Sequence, residues 1–335
     1  MTFTEVLNLA EKRLNNRPFV LFAAPGQKEI TVLFPEENDT ASSAGFVLQS
    51  FTSDKRLFFP GSLIFKAQIE LLNLDGSTTL TSPEGDEFRR LVSETVEFIK
   101  QGNADKIVVS RCETVYFQKA LRLVFEQLCS QFPQTFRYWL YHPDAGCWMG
   151  ATPERLISVE DNHFSIMSLA GTQRTDENRS WTTKEIREQG IVTDYILRAM
   201  APFAYNLTCS EPTTHQAGNV SHIRTDIEGQ LKEGMLQHII DALHPTPAVC
   251  GLPREEAYKF IRENEGYDRL FYSGFLGWID SKKGKADLFV NLRCMKITGR
   301  EAKIYVGCGI TADSIPDDEF QETVNKAHAM KSILL

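Results

Sequence analysis

The stretch "FRYWLYHPDAGCWMGATPERLISVE", residues 136–160, decides the fold class of this chain. Two apolar runs with strand-like composition meet at a Pro-Asp-Ala-Gly turn, and a second turn falls at Thr152-Pro153. Strands joined by turns this short pair antiparallel, because a parallel pair needs a long crossover connection. The stretch therefore predicts an antiparallel sheet.

The sequence on either side continues a pattern of many strands and fewer helices. Predicted helices cover about 4–15, 87–103, 118–131, 181–200, 233–242, 254–263 and 318–333. Predicted strands cover about 19–26, 29–36, 105–111, 163–174, 270–280, 286–297 and 302–310, with mixed, partly strand-like sequence over 50–67. This order favours an α+β fold with helices packed outside antiparallel sheet. Since no linker-like composition or repeat divides the chain, we expect one domain over residues 1–335.

Composition excludes several classes of function. The 335 residues are 42% hydrophobic and 24% charged, as in ordinary globular proteins, and the net charge of -8 argues against a nucleic-acid surface. The N-terminal residues lack the order of a signal peptide, and no apolar run is long enough for a membrane helix. Seven cysteines, an odd number without CxxC spacing, argue against a disulfide framework or a metal cluster. We therefore expect a cytoplasmic protein without membrane or nucleic-acid partners.

The last predicted helix carries polar residues in line with apolar ones. Glu319, Glu322 and Lys326 are spaced three and then four residues apart, and the same stripe continues to Met330 and Ile333. The stripe predicts that these charges face the interior. The alternative is an exposed ion pair between Glu322 and Lys326, which is common and weak.

A second glutamate lies on an apolar stripe in the predicted helix 181–200. Val192, Tyr195 and Ala199 form this stripe, and Glu188 lies on it one turn before Val192. A buried carboxylate needs a partner, either a cation or a metal ion. The alternative is that the helix end frays and the side chain reaches water.

The strand "NLRC" and the sequence "YVGCGI" indicate a binding site for an anion. Arg293 alternates with apolar residues on a predicted strand and could donate two hydrogen bonds to a ligand carboxylate, or to a carboxylate of the protein. Gly307 and Gly309 lack a Cβ and would let the backbone approach a ligand closely. Together with the glutamates, which suit a hard cation such as Mg²⁺, these residues predict a metal-assisted enzyme acting on a small carboxylate.

A lysine opens the apolar strand "DKIVVSR", residues 105–111. Side chains alternate along a strand, so Lys106, Val108 and Ser110 share one face, whereas the residues between them share the other. Taken alone, the stretch favours a lysine at the strand end whose ammonium reaches water.

Eight motifs in order resemble those of the chorismate-utilising enzymes: "KIVVSR", "GATPERL", "SLAGT", "HPTPAVCGLP", "GFLGW", "NLRC", "GCGI" and "EFQETVNK". The family includes isochorismate synthase, salicylate synthase, anthranilate synthase component I and aminodeoxychorismate synthase component I. The resemblance covers about residues 85–335, while the N-terminal part matches loosely. It implies two large, mainly antiparallel sheets facing each other, with helices outside and the active site between the sheets.

The resemblance also implies a site for Mg²⁺ and for the substrate chorismate. Glu188 and Glu322 resemble the metal ligands, with Glu319 close by, and Gln189 stands where the family usually has histidine. The positions that resemble substrate contacts are Gly171, Thr172, Ala248, Val249, Arg293, Gly307 and Lys326.

Two further residues resemble the catalytic pair of the water-using members. Lys106 resembles the general base that takes a proton from water attacking C2 of the chorismate ring, and burial would favour the neutral amine that a base requires. Glu154 resembles the general acid that protonates the departing C4 hydroxyl. Enclosure near other carboxylates would raise the pKa of Glu154, as an acid requires.

Three positions distinguish between members of the family. Ammonia-using members generally have glutamine in place of Lys106, and aminodeoxychorismate synthases often have a nucleophilic lysine in place of Ala170. Salicylate synthases commonly have threonine in place of Cys250. The resemblance therefore implies an isochorismate synthase serving menaquinone or siderophore synthesis, as a monomer without an amidotransferase subunit. The alternatives are a salicylate synthase, which goes on to eliminate pyruvate, and a chorismate-binding relative without turnover.

Overall fold

The structure, a computed structural model, describes residues 1–35, 42–61, 64–70, 85–174, 180–217 and 220–335. The helices in these ranges are α1 (Phe3–Arg13), α2 (Asp86–Lys100), α3 (Leu121–Gln131), α4 (Thr183–Met200), α5 (Leu236–Leu243), α6 (Arg254–Asn264) and α7 (Pro316–Leu334). The strands are β1 (Phe19–Ala23), β2 (Glu29–Leu33), β3 (Ala44–Gln49), β4 (Arg56–Pro60), β5 (Ile64–Gln68), β6 (Lys106–Tyr116), β7 (Phe136–His142), β8 (Gly146–Thr152), β9 (Arg155–Glu160), β10 (His163–Arg174), β11 (Ala204–Cys209), β12 (Thr213–Ala217), β13 (Val220–Leu231), β14 (Gly251–Leu252), β15 (Phe275–Asp280), β16 (Lys285–Val290), β17 (Cys294–Thr298) and β18 (Glu301–Ile310).

The strands form two large sheets in which neighbours pair antiparallel. The first sheet has the order β14-β6-β18-β17-β8-β7-β1-β2-β5. The second has the order β11-β13-β10-β9-β16-β15-β3-β4, with β12 also paired to β13. The predicted α+β class with mainly antiparallel sheets is confirmed.

The two sheets face each other across an aromatic core. The rings of Phe136 in the first sheet and Phe289 in the second stack with centroids 4.3 Å apart. Phe22 and Phe46 form a second contact between the sheets, at 5.2 Å. Burial of this apolar surface holds the sheets together, because removing apolar area from water is the main driving force of folding.

The helices cover the outer faces of the sheets, as predicted. Helices α1 and α3 and the second half of α7 pack on the first sheet, whereas α4 and α5 pack on the second. Helices α2 and α6 and the start of α7 pack beside β6 and β18. Among the described helices, none is long and apolar enough to cross a bilayer.

Two of the points at which the chain changes sheets lie side by side. Strand β8 belongs to the first sheet and β9 to the second, so residues 153–154 cross between them. Residues 291–293 cross back from β16 to β17. The crossings are joined by hydrogen bonds: Thr152 Oγ1 donates to the carbonyl of Val290 at 2.6 Å, and the Ala151 amide donates to that of Arg293 at 3.1 Å. Both crossings therefore place their residues between the sheets.

Three local expectations differ from the structure. The single strand predicted over 286–297 is two strands in different sheets, so Arg293 lies in a crossing and not on a strand. The strand 44–49 was not predicted, although its apolar run over residues 44–48 fits a strand buried on both faces. The strand predicted over 163–174 contains a bulge, because β10 pairs with β13 on both sides of residues 171–172 but with shifted register.

Candidate active site

A cavity of about 430 Å³ lies between the sheets, beside the two crossings. It is lined by every candidate residue of the sequence analysis except Thr172, namely Lys106, Glu154, Gly171, Glu188, Ala248, Val249, Arg293, Gly307, Glu319, Glu322 and Lys326. The backbone of Thr172 lies in β10, and its side chain is outside the described part of the chain. Residues up to 220 positions apart in sequence thus share one enclosed space.

Lys106 lies inside the protein and not at a solvated strand end. The residue is 2% exposed, and its Nζ is 2.7 Å from Glu188 Oε1 on α4. The prediction that the ammonium reaches water is therefore wrong. The predicted alternation of β6 is confirmed, because Val108 lines the cavity while Ile107 and Val109 join the outer core. A buried ammonium is stabilised by such an opposite charge.

A glycine on the neighbouring strand makes room for this ion pair. A Cβ at Gly309 would lie 2.7 Å from Lys106 Cε and 3.1 Å from Glu188 Oε1. A larger residue would push one of these side chains aside. The requirement for glycine at this position therefore comes from the Lys106–Glu188 contact.

Glu154 occupies the crossing from β8 to β9, and its carboxyl group faces the cavity. Burial raises the pKa of Glu154 to about 7, although the nearby ammonium groups of Lys106 and Lys326 oppose the shift. The predicted direction agrees, but its cause is desolvation, and the charges that act on the carboxyl are positive. At neutral pH a substantial fraction of Glu154 is protonated and can donate a proton.

Two helices each present a Glu-x-x-Glu pair to the cavity. Helix α4 supplies Glu185 and Glu188, and α7 supplies Glu319 and Glu322. Spacing of three residues puts both members of a pair on the same helix face. Glu185, which was not predicted from the sequence, also caps α4 by accepting a hydrogen bond from the Thr182 amide at 2.7 Å. The repeated i,i+3 spacing was the signal that could have found it.

The chemistry of these oxygen donors fits a hard divalent cation such as Mg²⁺. Among the described residues, however, no group of three or more potential ligands is already gathered as a metal site. The Glu188 side chain, 16% exposed, accepts from Lys106, and Glu322 is paired with Lys326. The ammonium groups thus neutralise carboxylates that a cation could also bind.

Lys326 and Glu322 form the predicted i,i+4 pair, with 2.6 Å between Nζ and Oε1. The pair faces the cavity and is not the exposed surface pair of the alternative interpretation. Lys326 Nζ also donates to the carbonyl of Gly307 at 3.0 Å. Burial disfavours the ammonium, but the Glu322 carboxylate raises the net pKa of Lys326 above its usual range. Lys326 therefore stays positively charged beside any ligand.

Arg293 supplies a second positive charge. Its backbone has a φ of 44°, in the left-handed region, which is a strained conformation for a side chain of this size. Burial lowers the pKa of Arg293, yet arginine remains charged at any physiological pH. Within the described residues no protein carboxylate forms an ion pair with it, contrary to the alternative interpretation. A buried guanidinium facing a cavity favours an anionic ligand.

Three further cavity residues, one histidine and two tyrosines, were not found from the sequence. Burial lowers the pKa of His222 to about 4, so its ring is neutral, and Nδ1 donates to the carbonyl of Gly171 at 2.9 Å. Tyr272 stacks on Tyr305, with ring centroids 5.5 Å apart. Both tyrosines line the cavity. Single histidines and tyrosines on strands or turns carry no spacing signal, which explains why they were missed.

Gln189 does not face the cavity. Its amide Nε2 donates to Thr193 Oγ1 at 2.8 Å and to Thr225 Oγ1 at 2.7 Å, between α4 and β13. Gln189 therefore packs the helix against the second sheet. Glu188 still faces the cavity.

The chain is similar to several known proteins. The family model described as "Chorismate binding enzyme" matches residues 66–335. The vibriobactin-specific isochorismate synthase of Vibrio cholerae is 29% identical, over 95% of this chain and 84% of that protein. The salicylate biosynthesis isochorismate synthase of Pseudomonas aeruginosa is 31% identical, over 76% of this chain and 56% of that protein.

Among solved structures, the menaquinone-specific isochorismate synthase of Escherichia coli has the same fold. Its TM-score is 0.83 at 20% identity, over 98% of this chain and 91% of that one. At this level of identity the likeness supports the architecture alone: two facing sheets, crossings between them and helices outside.

Proposed function

The chain belongs to the family of chorismate-binding enzymes, and from that membership we propose that it is an isochorismate synthase, an isomerase that converts chorismate to isochorismate. The observation that carries the proposal is the presence of Lys106 and Glu154 in one cavity, on different secondary-structure elements. One is an amine that can act as a base, and the other is a carboxyl group whose pKa of about 7 suits an acid.

The proposed reaction exchanges one hydroxyl group for another. Lys106 takes a proton from water as the water oxygen bonds to C2 of the ring. The ring double bonds shift, the C4–O bond breaks, and Glu154 gives its proton to the departing hydroxyl, which leaves as water. One water enters and one leaves, so substrate and product are isomers, and a lysine base makes an ammonia-supplying amidotransferase subunit unnecessary.

The positive side chains hold the anionic substrate in this proposal. Arg293 and Lys326 bind carboxylate oxygens, and Gly171, Ala248, Val249 and Gly307 shape the pocket. A contact of Thr172 with the substrate stays a prediction. Glu188 and Glu322 would hold Mg²⁺, with Glu319 beside them, and the cation would supply positive charge that offsets the substrate carboxylate. A single domain over residues 1–335, a monomer and a cytoplasmic location stay predictions.

The test is to incubate the purified protein with chorismate and Mg²⁺ in ¹⁸O-labelled water and to separate the products by chromatography. We expect isochorismate carrying one ¹⁸O atom, at C2. Salicylate together with pyruvate would instead support the salicylate synthase alternative. Chorismate recovered unchanged after binding would support a relative without turnover and would refute the proposal.

The metal role predicts a specific shift in Mg²⁺ dependence. Glu322→Gln removes one charged ligand, so the Mg²⁺ concentration for half-maximal turnover should rise about 10-fold or more, as for other losses around metal sites. Turnover is measured against Mg²⁺ after treatment with EDTA. Asp317→Asn, an exposed acid of the same helix paired with Arg89, is the control and should leave the curve unchanged. Full activity of the wild type in metal-free buffer would contradict the role.

A further inference from the structure

A buried ion pair lies beside the cavity without lining it. Glu265 and Arg269 follow α6, and their side chains are 1% and 2% exposed. They contact each other through Oε1 and Nη2 and also through Oε2 and Nε, the latter at 2.8 Å. An ion pair this deeply buried persists only where further hydrogen bonds satisfy its remaining atoms.

The remaining hydrogen bonds go to the edge of strand β6. The short strand β14 pairs with β6 only at residues 106–107. Beyond that point Glu265 Oε1 accepts the Ser110 amide at 2.7 Å, and Arg269 Nη2 donates to the carbonyl of Val108 at 2.7 Å. The two side chains thus satisfy backbone groups that a longer partner strand would otherwise satisfy.

The same guanidinium also contacts the segment that leads into β14, next to the point where the Cys250 carbonyl accepts the Val108 amide at 2.8 Å. Arg269 Nη1 donates to the carbonyl of Val249 at 2.9 Å, and the guanidinium lies over the ring of Phe51, 4.4 Å from its centroid. Val249 lines the cavity, as does Val108. One rigid group therefore ties the strand that carries Lys106 to the segment that carries Ala248 and Val249.

We propose that Glu265 and Arg269 are positioning residues that hold β6 and residues 248–249 at a fixed separation, and so hold the base Lys106 against the bound substrate. The kinetic part of this inference rests on the proposed function, whereas the tie between the two segments does not. Lysine cannot replace Arg269 in this role, because a single ammonium lacks the planar set of donors that reaches two carbonyls and a carboxylate together.

The test compares two double variants. Glu265→Gln/Arg269→Met removes both charges, and replacing an intact buried pair by uncharged groups of similar size often leaves stability nearly unchanged. Here we expect a folded protein with a lowered Tm, because the Val108 and Val249 carbonyls lose their donor. Its kcat/KM for chorismate should be about 100-fold lower, since small misplacements of reacting groups have effects of this size. The control is Glu113→Gln/Lys331→Met, a largely buried pair between β6 and α7 that does not line the cavity. The glutamine oxygen can still accept from Arg111, the other partner of Glu113. The control should keep wild-type kinetics.

Hydrogen exchange measured by mass spectrometry tests the link between β6 and residues 248–249 independently of turnover. In Glu265→Gln/Arg269→Met, peptides covering 106–112 and 246–252 should exchange faster than in the wild type, and the control should not change them. Wild-type exchange in both peptides of the folded variant would overturn the inference. If the variant does not fold, Arg269→Lys gives the same two readouts, and each result has the same meaning for the tie. If the wild type shows no turnover, the proposed function is refuted. The exchange result then decides alone whether Glu265 and Arg269 link the two segments.

Discussion

Glu154→Gln should lower kcat for chorismate by about 10²–10⁴-fold, the range typical for loss of a general acid. Glutamine keeps the shape of the side chain in the crossing from β8 to β9 but cannot protonate the departing C4 hydroxyl. Steady-state rates from chromatographic product analysis measure the effect. The matched control is Glu126→Gln on α3, a buried glutamate whose pKa is also raised by burial but which does not line the cavity. Turnover near the wild-type rate in Glu154→Gln would assign the leaving-group proton to another residue.

The pH dependence of the wild type follows from the same group. The acid must be protonated in the free enzyme, and the pKa of Glu154 is about 7. The component of kcat/KM due to Glu154 should therefore fall as pH rises through about 7. Replacement by glutamine should remove this component from the residual activity.

The raised pKa of Glu154 also predicts that, at high pH, the wild type has a lower free energy of unfolding than the Glu154→Gln variant. The carboxyl has its ordinary value of 4.5 when unfolded and about 7 when folded, so the folded state binds the proton more tightly. The contribution of this carboxyl group to the free energy of unfolding is fully present below pH 4.5. On the order of 2–3 kcal/mol of it is lost as the pH rises to 7. Urea denaturation at pH 4.5 and pH 8 should show Glu154→Gln gaining stability over the wild type only at pH 8. Such a gain would show that lost turnover is not lost folding.

Residue spacing predicted the helical part of the site because a helix repeats regularly. Once α7 was assigned, the spacing of Glu319, Glu322 and Lys326 fixed their common direction toward the interior, and the cavity contains all three. The turn at Thr152-Pro153 was also predicted, because proline marks a break in a strand.

The crossing at Arg293 could not be predicted by the same means. Residues 286–297 keep the composition of one strand, whereas the structure divides them between two sheets. Alternation reports that a segment is extended and which face is buried, but it does not report which sheet the segment joins. Membership in a sheet is decided by distant partners, here the hydrogen bonds between the two crossings. The position of Arg293 between the sheets is a property of the assembled fold.

The second large effect is expected at Lys106, where Lys106→Gln should abolish detectable isochorismate formation while chorismate and Mg²⁺ still bind. The glutamine amide can donate to Glu188 as the ammonium does, so the local packing should persist. What is lost is an amine able to accept the proton of water. Binding is measured by calorimetry and turnover by chromatography. Lys331→Gln is the matched control, because Lys331 is a buried lysine paired with Glu113 outside the cavity and should keep wild-type turnover.

The same variant tests which nucleophile the site selects. Ammonia attacks without first losing a proton, so a site without a base can still use it. High concentrations of ammonia at alkaline pH should therefore give Lys106→Gln a small, measurable yield of an aminated product, identified by mass spectrometry, that the wild type does not form in water alone. If Lys106→Gln instead turned chorismate over at the wild-type rate, Lys106 would not be the base. The choice of water over ammonia would then lose its physical reason, because that choice depends on an amine in the cavity that can take a proton from water.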